Sequence, residues 1–127
     1  MQQYIGTKII HAESETHADG RPGYKVVYRD GYRSWSPKAE FEDAYRQCNA
    51  MTFSLALEAL KMGLKVQRDG WNGKGLWLEL QVPDAYSKMT LPYIFMSYPS
   101  DAKTTPGAKG PWLASQTDML AEDWKIV

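Results

Sequence analysis

The sequence predicts an α+β fold of small antiparallel sheets and short helices, with two β-rich parts of the chain in one compact protomer. Three patterns support this prediction. The dipeptide Asp30-Gly31 separates two β-prone stretches and is a strong signal for a two-residue hairpin turn. Apolar residues repeat at helical spacing within Phe53–Met62. Residues Leu76–Val82 instead alternate between two faces, as expected of a strand with one face in the core.

The first part of the chain predicts a strand, a hairpin and a helix. Ser36 is expected to cap the helix and Pro37 to occupy its first position, where no backbone N–H is needed. Phe41 and Tyr45 are four residues apart, so we expect them on one helix face. The expected order is a strand over Tyr4–His11, a surface loop over Ala12–Gly23, strands over Tyr24–Tyr28 and Tyr32–Trp35, and a helix over Lys38–Gln47.

The second part predicts a helix followed by several short strands. Thr52 is expected to cap the helix Phe53–Met62, and Gly63 to end it in the left-handed conformation. Ser115 begins a further helical turn that runs through Leu120. The other expected segments are strands over Leu64–Arg68, Leu76–Val82, Tyr93–Tyr98 and Asp123–Val127, a structured glycine turn over Asp69–Gly75 and a loop over Ser100–Gly110.

Composition and charge exclude several classes of protein. A chain of 127 residues suits one domain or two very small ones, and an apolar fraction of 43% argues against disorder. Equal numbers of basic and acidic residues, 15 of each, argue against binding a nucleic-acid polymer. Cys48 is the only cysteine, so no internal disulfide or thiolate metal cage is expected. No signal peptide or run of about 20 apolar residues is found, which predicts a cytoplasmic protein without a membrane partner.

The sequence contains no arrangement of residues typical of a catalytic or metal site. His11 and His17 lack further histidines at metal-ligand spacing, and neither a nucleophile elbow nor a P-loop is present. The adjacent carboxylates Glu122-Asp123 are interpreted as solvated surface. We therefore expect no catalytic residue, no metal and no cofactor.

The glycine turn carries residue types that suit a nucleotide. Its glycine N–H groups can approach a pyrophosphate, and Asn72 and Lys74 can bind polar or charged groups. Trp71 offers a flat face on which a base can stack. The residue types alone favour a simpler alternative, in which this is a hairpin turn whose Trp71 plugs the core.

A second segment, Pro111–Asp118, has similar potential. Four consecutive polar side chains at a helix start can contact ribose hydroxyls, and the exposed N–H groups there can contact phosphate. Here too the residue types alone favour a simpler alternative, in which Ser115 or Thr117 caps its own helix.

In order, spacing and composition, these segments resemble a family of small phage and prophage proteins that includes the second Thoeris anti-defense family. The resemblance covers residues 51–127 and is carried by Met51-Thr52-Phe53, by Gly70–Gly75 and by the run Pro111–Trp124. It implies a non-enzymatic sponge that binds glycocyclic ADP-ribose, the messenger of the Thoeris TIR enzyme, without cleaving it. It also implies a homo-oligomer, a tetramer, with pockets between subunits, in the cytoplasm of the infected bacterium. Some relatives also take other cyclic nucleotides.

The resemblance assigns roles to matching positions. It implies that Trp71 stacks on the base, that Asn72 hydrogen-bonds the ligand, and that Gln116, Thr117 and Asp118 contact ribose and phosphate. We expect Trp71 and Asp118 to converge across a boundary between subunits. The full expected ligand-binding set is Trp71, Asn72, Gly73, Lys74, Trp112, Ser115, Gln116, Thr117 and Asp118.

Residues 51–127 are accordingly expected to form the ligand-binding domain, and residues 1–50 a hairpin–helix module of unknown role. Two other functions stay open. One is a cyclic-nucleotide hydrolase or lyase with Asp118 as base and Lys74 as electrostatic support. The other is a structural or protein-interaction module of a phage, which would depend on Tyr32 and Trp35 in the N-terminal part.

Overall fold

Two units, Met1–Arg46 and Gln47–Val127, make up the computed structural model, which describes residues 1–127. The first unit contains β1 (His11–Ser14), β2 (Gly23–Val27), β3 (Arg33–Pro37) and α1 (Lys38–Ala44). The second contains α2 (Phe53–Lys61), β4 (Val66–Arg68), β5 (Trp77–Gln81), β6 (Tyr93–Ser97), β7 (Lys109–Pro111), α3 (Gln116–Leu120) and β8 (Trp124–Ile126). All strand pairs are antiparallel, so the predicted α+β class is confirmed. None of the helices combines the length and apolarity needed to cross a membrane.

The first unit is a three-stranded sheet in the order β1-β2-β3. Helix α1 packs on it through the predicted aromatic face. Phe41 stacks on Tyr24 with ring centroids 4.1 Å apart, and Tyr45 stacks on Phe41 at 5.0 Å. Val26, in the middle of β2, is fully buried. The predicted hairpin and helix are therefore both present, and the helix ends at Ala44, three residues before the predicted end at Gln47.

Three details of the first unit differ from the prediction. The first strand is β1 and not Tyr4–His11, because the register pairs His11 with Val27, the last residue of β2. Most of β1 therefore lies within the segment Ala12–Gly23 that was predicted to be a loop. The turn has three residues, since Tyr28 N donates to Tyr32 O and Gly31 takes the left-handed position at φ 88°. Ser36 belongs to β3, and the residue at the helix cap is Pro37, with no side-chain cap.

The second unit is a five-stranded sheet in the order β7-β6-β5-β4-β8, with α2 packed on one face. The predicted alternation in β5 is confirmed, because Leu78 is fully buried and its neighbour Glu79 is not. Gly63 ends α2 at φ 87°, as predicted. The buried apolar core consists of Met51, Ala56, Ala59, Leu60, Val66, Leu78 and Trp124.

Two elements of the second unit were not predicted correctly. Strand β7 begins inside the segment predicted to be a loop, and it pairs Lys109 with Ser97 and Gly110 with Met96. Glycine and proline disfavour strands, and an edge strand such as β7 is where a sheet tolerates them. Thr52 is at the cap position of α2, but its hydroxyl lies 2.9 Å from the Ser54 hydroxyl and makes no cap hydrogen bond.

Candidate functional site

The glycine turn that joins β4 to β5 has a backbone that requires glycine at specific positions. Gly75 has φ 75°, a conformation that other residues adopt with strain. At Gly70, a Cβ would lie 2.7 Å from Asp123 Oδ2, so a side chain there would displace this carboxylate. The turn is thus shaped by its own glycines and by a carboxylate from the chain just before β8.

The start of α3 is built by a reciprocal pair of hydrogen bonds. Ser115 Oγ accepts from Asp118 N at 3.0 Å, and Asp118 Oδ2 accepts from Ser115 N at 3.1 Å. This arrangement is a capping box. The capping alternative is therefore confirmed for Ser115, and it fixes the Asp118 carboxylate.

One arginine joins the glycine turn to this helix start. Arg68 Nη1 and Trp71 Nε1 both donate to Asp118 Oδ1, at 2.9 Å and 3.1 Å. Arg68 Nε donates to Asp123 Oδ1 at 2.9 Å, and Gly70 N donates to Asp123 Oδ2 at 2.7 Å. We call these five residues, Arg68, Gly70, Trp71, Asp118 and Asp123, the Arg68 clamp. Trp71 and Asp118 meet within one chain, which corrects the expectation that they meet across a subunit boundary.

Trp71 is also part of a cluster of tryptophans. Its ring lies edge-on to Trp124, with centroids 5.5 Å apart, and 6.4 Å from the ring of Trp112. Trp124 is fully buried, and its Nε1 donates to Asp118 O at 2.9 Å. Trp71 and Trp112 are half-buried. One part of each of these two rings therefore packs on the core, as the simpler alternative for Trp71 requires, and another part is exposed.

The charges in the clamp are fixed by the hydrogen bonds. Burial raises the pKa of Asp118, but hydrogen bonds from Trp71, Arg68 and Ser115 outweigh it and hold the pKa below its ordinary value. The hydrogen bond from Arg68 lowers the pKa of Asp123 and raises the pKa of Arg68 itself. The three groups are therefore ionised at neutral pH, and neither carboxylate is suited to accept a proton.

The other expected ligand-binding residues lie at the surface of the same two segments. They offer an amide, an ammonium group, a hydroxyl and backbone groups, and they are Asn72, Gly73, Lys74, Gln116 and Thr117. The structure thus brings Trp71, Trp112, Ser115 and Asp118 into one connected cluster and leaves the polar members exposed beside it. No group of three or more His, Cys, Asp or Glu side chains is placed to hold a metal ion.

Arg68 and Asp123 take part in this site and were not predicted from the sequence. Asp123 was interpreted as solvated surface, but its carboxylate is bound by Arg68 and by Gly70 N. The two residues come together because β4 pairs with β8. In this pairing Arg68 lies opposite Trp124, and Asp123 is the residue just before Trp124. No local signal in either segment indicates this pairing.

Comparisons with known proteins identify a family for the second unit. The family described as the Thoeris anti-defense 2-like domain matches residues 51–127. The chain is also similar to a protein of Bacillus phage SP01 named Thoeris anti-defense 2. The two are 41% identical over 85 residues, which cover 61% of this chain and 94% of the phage protein. All residues of the Arg68 clamp lie within the matched region.

Proposed function

Because the chain belongs to the Thoeris anti-defense 2-like family of phage anti-defense proteins, we propose that it binds and sequesters glycocyclic ADP-ribose without cleaving it. The proposal includes related cyclic nucleotides as further ligands. It assigns the ligand site to Trp71, to the exposed part of the glycine turn and to the start of α3. The cell compartment that follows is the cytoplasm of the infected bacterium, where such a messenger is made.

The observation that carries this proposal is the fixed, half-buried indole of Trp71. Its Nε1 is held 3.1 Å from Asp118 Oδ1, so the orientation of the ring is set before any ligand arrives. Stacking on an aromatic ring is worth about 1–3 kcal/mol per base. Asn72 and Lys74 are exposed on the same turn and supply the polar contacts that a ribose or a pyrophosphate needs.

The energetic requirement of a sponge is within reach of such contacts. Nanomolar affinity corresponds to about −12 kcal/mol. Hydrogen bonds to charged phosphate contribute roughly 1.5–3 kcal/mol each. Association itself costs about 4 kcal/mol or more, so stacking and four or five such bonds reach this affinity when each contact is near the upper end of its range. These contacts need no acid, base or nucleophile.

The state of Asp118 supports sequestration over turnover. The hydrolase alternative needs Asp118 as a base. Its carboxylate accepts hydrogen bonds from Arg68, Trp71 and Ser115, and they keep its pKa below the ordinary value. A base that is already saturated with donors takes up a proton poorly at neutral pH.

A binding-and-release experiment tests the proposal. The protein is incubated with glycocyclic ADP-ribose, freed of unbound ligand by filtration and heated, and the supernatant is examined by mass spectrometry. We expect the ligand to return intact. Recovery of ADP-ribose or of a linear product would make the protein an enzyme, and a lack of binding at micromolar concentration would remove the proposal.

A matched pair of variants connects the binding to the site. Trp71→Phe keeps an aromatic ring but loses the indole N–H, and we expect it to weaken binding about tenfold through poorer stacking and orientation. Trp35→Phe makes the same change in the first unit and should bind as the wild type does. Equal affinities of both variants would move the site away from Trp71.

The proposal also concerns the assembly. We propose a homo-oligomer, a tetramer, with the ligand bound between subunits. Native mass spectrometry with and without a panel of cyclic nucleotides reports the number of chains and the ligand mass together. A monomer that retains the ligand would contradict this part of the proposal and leave the binding itself intact.

A further inference from the structure

We propose that Arg68 is a positioning residue of the ligand site, which holds the Trp71 indole and the glycine turn in the geometry that receives the ligand. The inference rests on the function proposed above, because it assigns a role within the same site. Arg68 is the last residue of β4, directly before the glycine turn, and no motif of the sequence includes it.

The first step is that Arg68 shares both of its acceptors with the glycine turn. The oxygen of Asp118 that accepts from Arg68 also accepts from Trp71 Nε1. The carboxylate of Asp123 accepts from Arg68 through one oxygen and from Gly70 N through the other. One guanidinium therefore fixes two carboxylates, and each carboxylate fixes one part of the turn.

The second step is that only an arginine fits this arrangement. Its planar guanidinium donates from Nη1 and from Nε to two different carboxylates, both at 2.9 Å. An ammonium group is a single point charge and cannot present this fixed fork. The side chains of Arg68 and Asp118 are only 13% and 12% exposed, so solvent does little to replace a lost partner.

The third step is that Arg68 acts through Trp71 and does not itself face a ligand. Its donors are directed at Asp118 and Asp123, and its side chain is largely buried. Without it, the two carboxylates would lose their shared cation, and only Ser115 N, Gly70 N and the Trp71 indole would hold them. The Asp118 oxygen that accepts from Trp71 Nε1 would then be placed less firmly, and the indole would depend more on its ring contacts.

The loss would appear in ligand affinity. A ring that is held less firmly must be ordered further when the base stacks on it, and this ordering opposes binding. We expect Arg68→Lys, which keeps the charge, to weaken the binding of glycocyclic ADP-ribose roughly tenfold, the penalty of ordering one large side chain. The matched control is Lys125→Gln, which removes a partly exposed cation whose Nζ lies 3.0 Å from Asp69 Oδ1 at the start of the same turn. It should bind as the wild type does.

A spectroscopic readout separates positioning from general damage to the fold. The chain has five tryptophans, so a two-dimensional ¹H–¹⁵N spectrum shows five indole N–H signals, which Trp→Phe variants assign. In Arg68→Lys, we expect the Trp71 signal to shift and its hydrogen exchange to accelerate. Trp77 is the internal control, because its Nε1 donates to Glu79 Oε2 at 3.0 Å, outside the clamp.

Each outcome has one meaning. An affinity within twofold of the wild type, or an unchanged Trp71 signal, would overturn the inference. If Arg68→Lys does not fold, the milder variant Asp123→Asn is tested in its place. This variant supports the inference only if it shifts the Trp71 signal and weakens ligand binding. If the wild type binds no glycocyclic ADP-ribose, the proposed function fails, whereas the Trp71 signal still tests whether Arg68 positions the ring.

Discussion

The two units of this protein are stabilised in different ways. Residues 47–127 bury seven apolar side chains in one cluster, whereas residues 1–46 bury one, Val26. In the first unit, half-exposed aromatic rings do much of the packing. Tyr24, Phe41 and Tyr45 stack on one another, and a Cβ at Gly23 would overlap the Trp35 ring.

The ion pairs of the two units also differ in their exposure to solvent. In the Arg68 clamp, the Asp118 side chain is 12% exposed and that of Asp123 33%, whereas Glu13 of the Lys25–Glu13 pair in the first unit is 68% exposed. An exposed pair contributes little because water and salt screen it. The candidate site therefore lies in the unit with the larger apolar core, which can hold a polar network rigid.

The largest expected difference concerns one tryptophan in each unit. Trp124→Ala removes a fully buried ring and the donor to Asp118 O, and we expect a loss of about 3–5 kcal/mol in the free energy of unfolding. Trp35→Ala removes a half-exposed ring and should cost about 1–2 kcal/mol. Amide hydrogen exchange read by mass spectrometry reports both units separately. Equal losses of stability in the two variants would contradict the inference that the second unit depends on a larger apolar core than the first.

Much of the fold is predictable because its signals are local. The dipeptide Asp30-Gly31, the alternation around Leu78 and the cap at Ser115 each depend on residues close in sequence. The positions of β7 and β1 instead depend on pairing with a neighbouring strand, and the local sequence of β7 or β1 does not indicate this pairing.

The candidate site shows the same division. Trp71 and Asp118 are predictable because a glycine turn and a helix start mark their segments. Arg68 and Asp123 are 55 residues apart, and their ion pair exists only because β4 pairs with β8. Each of these two looks like an ordinary surface charge until the sheet forms.

The second prediction compares a shielded carboxylate with an exposed one. Asp118→Asn keeps the side-chain shape but loses the charge that Arg68 contacts. We expect it to lower the free energy of unfolding by about 1.5–3 kcal/mol, the range for hydrogen bonds to a charged group. Glu13→Gln in the first unit should be indistinguishable from the wild type. Thermal melts of both variants measure the difference, and a comparable loss in Glu13→Gln would show that the exposed pair matters equally.

The third prediction concerns pH. The pKa of Asp123 is lowered by Arg68 and that of Asp118 by hydrogen bonds that outweigh its burial, both from an ordinary value of 3.8. A lowered pKa in the folded state contributes stability that is fully present above the ordinary value and is lost as pH falls through the lowered one.

The difference in stability between the wild type and Asp118→Asn should therefore be constant from neutral pH down to about pH 5 and should shrink below the ordinary pKa of 3.8. Urea unfolding at a series of pH values measures it. A difference that is independent of pH would contradict the prediction, because it would show that the ionisation of Asp118 does not cause the loss of stability.

The smallest expected effect comes from two glycines in the left-handed conformation, one in each unit. Gly31 has φ 88° with open space around it, so Gly31→Ala should cost about 1 kcal/mol of conformational strain. Gly75 has φ 75°, and its new Cβ would also lie 3.3 Å from Pro99 Cγ, so Gly75→Ala should cost slightly more. The two changes differ most in binding, because only Gly75 shapes the glycine turn. We expect weaker ligand binding in Gly75→Ala alone, measured by calorimetry. Weaker binding in Gly31→Ala would instead assign the first unit a part in ligand binding.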